Sequence, residues 1–287
     1  MVGLGPALGP LTPKEAELLD RAVTFLRRFI PEAYAFFVEC QTNPKPGSQM
    51  ARLKRRDLIL ALDASLLLDS AQDHLTTVIN QCERGLLSRY SLYTVIRGAL
   101  EADAWACWML EPGIGDDERL ARALTLRSSS LFEMKRLGLA PPRVKPERHY
   151  AKRMKRVLSA GKRWKLAPKT DKWGRVSFVP QPRVTPLLRT LLPDASPKNK
   201  ALTVGEQTYG ELSARAHGTT WSLLQSLVAV QRLNRYQNLG MAALDVVEFV
   251  RLLGVVVGLH DEVIKRTARL ANVATSDWEA RRGPMPW

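Results

Sequence analysis

Three side chains have the types and spacing for proton and charge chemistry. Arg97 and Glu101 stand four apart in "RGALE", on a stretch from Tyr90 to Leu110 that is apolar almost all round. A helix apolar on both sides is central in a bundle. The pair is therefore expected to be buried or to line a cleft, bonded to each other across one helical turn. His217 stands in "YGELSARAHGTTWSLL", beside Gly218, which leaves room for a close helix or a ligand. Helical spacing groups it with Trp221, Leu224 and Val228, near Ser213 and Tyr209. As chemistry, imidazole moves protons, guanidinium holds developing negative charge, and a carboxylate orients either one. As structure, the same residues make an ion pair that fixes helix register and a hydrogen-bonded core histidine.

Other chemistries lack their residues. Asp69 and Asp73 are four apart on one face in "LDASLLLDSAQDHLTTVI", with His74 on a more apolar side. A di-metal carboxylate bundle needs Glu-x-x-His on two helices, and this chain has none. The four histidines, at 74, 149, 217 and 260, form no HExxH. GxGxxG, Walker and GxSxG motifs are absent. Neither a metal nor a cofactor is expected. Cys40, Cys82 and Cys107 lie far apart without CxxC spacing, which argues against a disulfide framework and for a reducing compartment.

Charge gives the second lead. The net charge is +15, and residues 135–200 hold 19 Lys or Arg against Glu147, Asp171 and Asp194, a net of +16. The rest of the chain has 24 basic and 25 acidic residues, a net of −1. Within the basic segment, 148–165 carries eight Lys or Arg and no acid. Such clusters bind polyanions by releasing counterions, and interleaved aromatic rings stack on exposed bases. Arg148, Lys152, Arg153, Lys155, Arg156, Lys162, Arg163, Trp164, Lys165 and Trp173 are the candidate nucleic-acid contacts. An acidic protein partner would use the same charges. A solvated loop pinned by its aromatic residues is the plain alternative, and an anionic membrane surface a weaker one, since the apolar stripe is short. No run is long and apolar enough to cross a membrane, and the N-terminus has no secretory signal. A cytoplasmic protein without integral membrane contact is expected.

The elements that position these residues read as all-α. Thr12, Pro13 and Glu15 form a helix start with a capping box, and Pro31 is expected to kink or split that helix. Further long helices are expected over 57–83, 90–110, 116–137, 205–235 and 239–270. Residues 1–138 and 201–275 thus form one bundle of about six long helices, followed by a tail at 276–287 whose end, "RRGPMPW", is expected to fray. Between them, 139–200 is a basic insert with 9 of the 18 prolines. It holds a short amphipathic helix, 147–159, whose apolar stripe is Tyr150, Met154, Val157 and Leu158. A small hairpin is expected to turn around Lys172–Gly174 and alternate through Val176 and Phe178.

"RGALEADAWACWMLEPGIGDDERLARALTLR", followed by "YGELSARAHGT" and joined by "DHL" at 73–75, resembles a set of uncharacterised actinobacterial helical proteins. The likeness spans about 60–250. More loosely, the pattern is similar to the HEPN superfamily of helical bundles, many of them dimeric ribonucleases of phage-defence and toxin–antitoxin systems. The resemblance implies a homodimer, a phage-defence or phage-borne regulatory role, and metal-independent RNA cleavage at His217. HEPN ribonucleases place an arginine four to six residues before the histidine. Here Arg215 is two before His217, and Glu211 stands six before it. The implied site must borrow an arginine from another helix, such as Arg97, or the bundle lies outside those ribonucleases.

Overall fold

A computed structural model describes residues 11–56, 59–87, 89–217, 227–232, 238–242 and 244–287, with side chains outside 56–62, 89 and 227–242. Among them are ten helices and two small antiparallel strand pairs. The first helix, α1 (Pro13–Thr42), starts at the expected capping box: Glu15 N–H donates to Thr12 Oγ1, and Thr12 N–H donates to Glu15. It runs through Pro31 as one element. Its buried stripe carries Phe25, Phe29, Phe36 and Phe37. A short α2 (Gln49–Arg56) leads into α3 (Ile59–Glu83), α4 (Arg89–Met109) and α5 (Asp116–Arg136).

The expected central position of 90–110 is what the structure has. α4 packs against α3 and α5, and also against α7 (Val184–Leu191), α8 (Val204–Ala216) and α9 (Val246–Ala271). Close approach is built into α4 at Gly98, where an added Cβ would lie 2.5 Å from His74 Nε2 on α3. A leucine or phenylalanine buried in this core is worth about 1.5–3 kcal/mol. Many such residues, from α1, α3, α4 and α9, form one continuous cluster.

The insert has its own small core. The helix α6 (Pro146–Arg163) is longer than expected, and Met154, Val157, Ala160 and Gly161 are its buried face. They meet Ala121, Leu124 and Leu131 of α5, together with Val176 and Phe178. Leu158, expected on the stripe, is instead exposed. The expected hairpin is present: β1 (Lys169–Thr170) pairs with β2 (Val176–Ser177), and Gly174 takes the positive φ its turn requires. Asp171 Oδ1 accepts from the backbone N–H groups of Trp173 and Arg175, at 2.8 and 2.9 Å. Thr125 Oγ1 on α5 accepts from Phe178 and Val179 N–H, at 3.0 and 3.2 Å, so the hairpin is tied to the bundle.

Two expectations are corrected near the C-terminus. The helix expected over 205–235 ends at Ala216, and β3 (Leu227–Arg232) pairs with β4 (Asn238–Ala242) in a second antiparallel pair. The helix expected from 239 starts at Val246, capped by Asp245. The tail is not frayed. In α10 (Thr275–Arg282), Trp278 is fully buried and donates its indole N–H to Asp261, 2.6 Å away. Trp287 then lays its ring edge-on against Phe25.

Candidate functional site

The cations of α6 are sorted by helical geometry. At ~100° per residue, Arg148, Lys152, Lys155, Arg156, Lys162 and Arg163 fall within roughly a third of the circumference, opposite the buried face. All six are exposed. Arg148, Lys152, Lys155, Arg156 and Lys162 make no ion pair among the described residues. Glu147, the one acid of α6, lies off this arc. The helix is anchored from behind by its small core, so the charges sit on a rigid element. Lys165 follows at a positive φ, also exposed.

Three candidate contacts are placed apart from this track. Arg153 lies about 100° from Lys152, on the flank next to Val157 and Ala160. It lines a cleft shared with α3 and α5. Trp164 is half-buried against the main core, with Arg163 over its ring at 5.6 Å. Trp173, at the hairpin tip, is 70% exposed, with Lys172 over its ring at 5.1 Å. Of the two tryptophans, Trp173 is the one whose face is open to a partner.

Arg97, Glu101 and His217 do come together. Arg97 Nε lies 2.9 Å from Glu101, one Nη lies 3.0 Å from His217 Nε2, and the other Nη donates to Tyr209 Oη at 3.1 Å. Arginine only donates, so His217 Nε2 is the acceptor and the ring proton sits on Nδ1. Burial alone would lower the pKa of Arg97, but the Tyr209 hydroxyl and the Glu101 carboxylate outweigh it and raise it. His217 is the C-cap of α8, exposed to solvent, and Trp221 and Leu224 lie outside the described residues. A shallow cavity of about 430 Å³ opens beside it, with Tyr209, Gly210, Ser213 and Thr185 in its lining, to which Arg97 and Glu101 do not contribute.

Sequence reasoning missed two charged clusters. Glu211 on α8 and Glu248 on α9 share Arg251 and Lys198: Arg251 lies 2.7 Å from each carboxylate, and Lys198 lies 3.5 and 2.8 Å away. Burial, and then the hydrogen bond with Glu248, raises the pKa of Glu211. Burial alone would also raise Glu248, but Arg251, Glu211 and Lys198 outweigh it and hold Glu248 well below the usual carboxylate range. The second cluster is Arg119 with Arg122. The fully buried Arg119 donates to the carbonyls of Met109 and Glu111, at 2.7 and 2.8 Å. Arg122 donates to that of Trp108, at 2.7 Å. Both cap the end of α4. The visible signal was an arginine among the apolar positions of "RLARAL".

No group of metal-ligating side chains is assembled among the described residues, and no described helix is long and apolar enough to cross a membrane. Neither a family model, nor a curated protein sequence, nor a solved structure matches the chain.

Proposed function

We propose that the protein binds nucleic acid, with the outward face of α6 as its phosphate track and Trp173 as a stacking contact. One observation carries the reading: six exposed cations share one arc of a helix anchored from behind, in a segment holding the whole charge excess. At 1.5 Å per residue, α6 is about 27 Å long, the span of roughly eight phosphates along one strand of duplex DNA. Neutralising six of them gives a log–log salt slope of about −5 on duplex and −4 on single strands.

The test is fluorescence anisotropy on labelled single-stranded RNA, single-stranded DNA and duplex DNA across a salt series. Replacing Lys152, Lys155, Arg156 and Lys162 with Ala should weaken binding to whichever of the three binds and flatten the slope by about 3 to 4. Salt-insensitive binding, or none, would remove the reading and leave an acidic protein partner as the use for these charges.

A second reading, RNA cleavage, is favoured by the meeting of Arg97 and His217. In the arrangement described, Arg97 occupies the lone pair of His217 Nε2. A phosphodiester drawing Arg97 away would free that nitrogen to take the proton of a ribose 2′-hydroxyl as its oxygen bonds phosphorus and the 5′-oxygen leaves, taking a proton from water, while Arg97 steadies the charge on phosphorus. Glu101 and Tyr209 would position Arg97. Incubated RNA should then be cut without added metal and survive intact with H217A; RNA left whole by the wild type would sink this reading.

A further inference from the structure

A cleft of about 980 Å³ opens where α3 and α5 meet the insert, at the upper end of the range for small-molecule sites. Leucines, Met134, Pro182 and Trp105 make up half of its lining. Leu66, Leu137 and Leu139 form its lips, at 55%, 58% and 54% exposure. Large leucines gathered at one opening expose the kind of apolar patch that marks a binding surface.

The polar half of the lining includes four arginines against two acids. Arg153 comes from α6, Arg175 follows the first hairpin turn, and Arg183 precedes α7. All three are exposed and make no ion pair among the described residues. The acids beside them are already matched: Asp63 receives the Nε of Arg127 at 3.1 and 3.2 Å, and Glu133 lies 2.7 Å from Arg136. The walls are also held together, since Ser129 on α5 donates to Gln181 at 2.7 Å. The cavity is therefore preformed, and its lining combines aliphatic side chains with three arginines that make no ion pair among the described residues.

We propose that this cleft binds a small amphipathic anion, an aliphatic body ending in a carboxylate or phosphate. The leucines and Met134 hold the chain, and Arg153, Arg175 and Arg183 bond the head, for which guanidinium forks are suited. A nucleic-acid strand would find few ring faces here to stack on. The inference therefore does not rest on the α6 track.

Calorimetric titration of the intact protein with dodecanoate, dodecyl phosphate, dodecanol, dodecyltrimethylammonium and inorganic phosphate tests it. At least one amphipathic anion should bind one-to-one, about tenfold or more tighter than the alcohol, the cation and inorganic phosphate. The better of the two anions identifies the head group. R175E/R183E should abolish the preference for the anion, and L137D/L139D should weaken both anions. Both pairs are surface changes, and circular dichroism of each variant checks that it is folded. The α6-track alanine variant should bind the anions as the wild type does. The proposal is overturned if neither anion binds, if the cationic or neutral amphiphile binds as well, or if folded R175E/R183E behaves as wild type.

Discussion

At Arg119 a guanidinium sits wholly out of water, and the reason is geometric. α4 ends at Met109, leaving carbonyls that no further turn of helix can satisfy. Arg119, early in α5, reaches back and donates to that of Met109, and to the carbonyl of Glu111 just beyond the helix. Burial lowers its pKa to about 10, still above neutrality, so it remains the charged donor this cap needs. Replacing it with Met leaves buried carbonyls without a donor and should cost about 3 kcal/mol in urea unfolding. R119K should recover little of that, because an ammonium lacks the planar fork. The cysteines are governed by burial too. Burial pushes the thiols of Cys40 and Cys82 up to about 12 and raises that of Cys107 as well. Since the thiolate is the reactive form, these three should resist a thiol-specific dye at pH 8 and react at once in denaturant. Rapid labelling of the native protein would contradict this.

Among the elements, α6 is held by a contact that only glycine permits. A Cβ on Gly161 would lie 2.3 Å from the Phe178 ring. G161V should therefore push the hairpin away from α6, cost about 1–3 kcal/mol and raise amide exchange across 169–179. Pairing it with F178A, which vacates the space, should restore part of that loss. The same element shows what sequence could reveal. The cap of α1, the length of α4, the Arg97–Glu101 pair and the hairpin at 172–174 all depend on neighbours within a few residues, and each was legible. The meeting of Arg97 with His217 joins positions 120 apart, which helical spacing cannot relate. The end of α8 was misjudged because "SLLQSLVAVQRL" fits helical spacing, although its Val228 and Val230 alternate as in the strand that 227–232 forms. The docked tail was missed because its anchor, Trp278, is buried by partners on α1 and α9.

For the whole molecule, the uneven charge separates two responses that one titration can tell apart. The insert carries its excess on arginine and lysine and holds only three acids, so its capacity for polyanions should not fall as pH drops from neutral. The bundle behaves otherwise, because its ion pairs depend on carboxylates. Burial opposes the ionised forms of Glu248 and Glu262, yet arginine contacts outweigh it and hold both below their ordinary value of 4.5. A carboxylate depressed on folding contributes stability that is present above its unfolded pKa and lost as pH falls through the folded one. Asp103 acts in the opposite sense: burial, against the pull of His260, raises its pKa, so its contribution is greatest in acid and is lost as pH rises. With Glu248 bonded to both Arg251 and Lys198, the depressed carboxylates should dominate, and thermal melts should fall steadily once pH drops below about 4.5. E248Q removes one proton-linked group together with its ion pairs to Arg251 and Lys198, and leaves Arg251 bridging α9 to Glu211 on α8. It should melt lower than wild type at pH 7 and lose less on acidification, so the gap between the two curves narrows progressively below about pH 4.5. Parallel curves would mean that Glu248 is not linked to folding and that acid sensitivity arises elsewhere in the bundle.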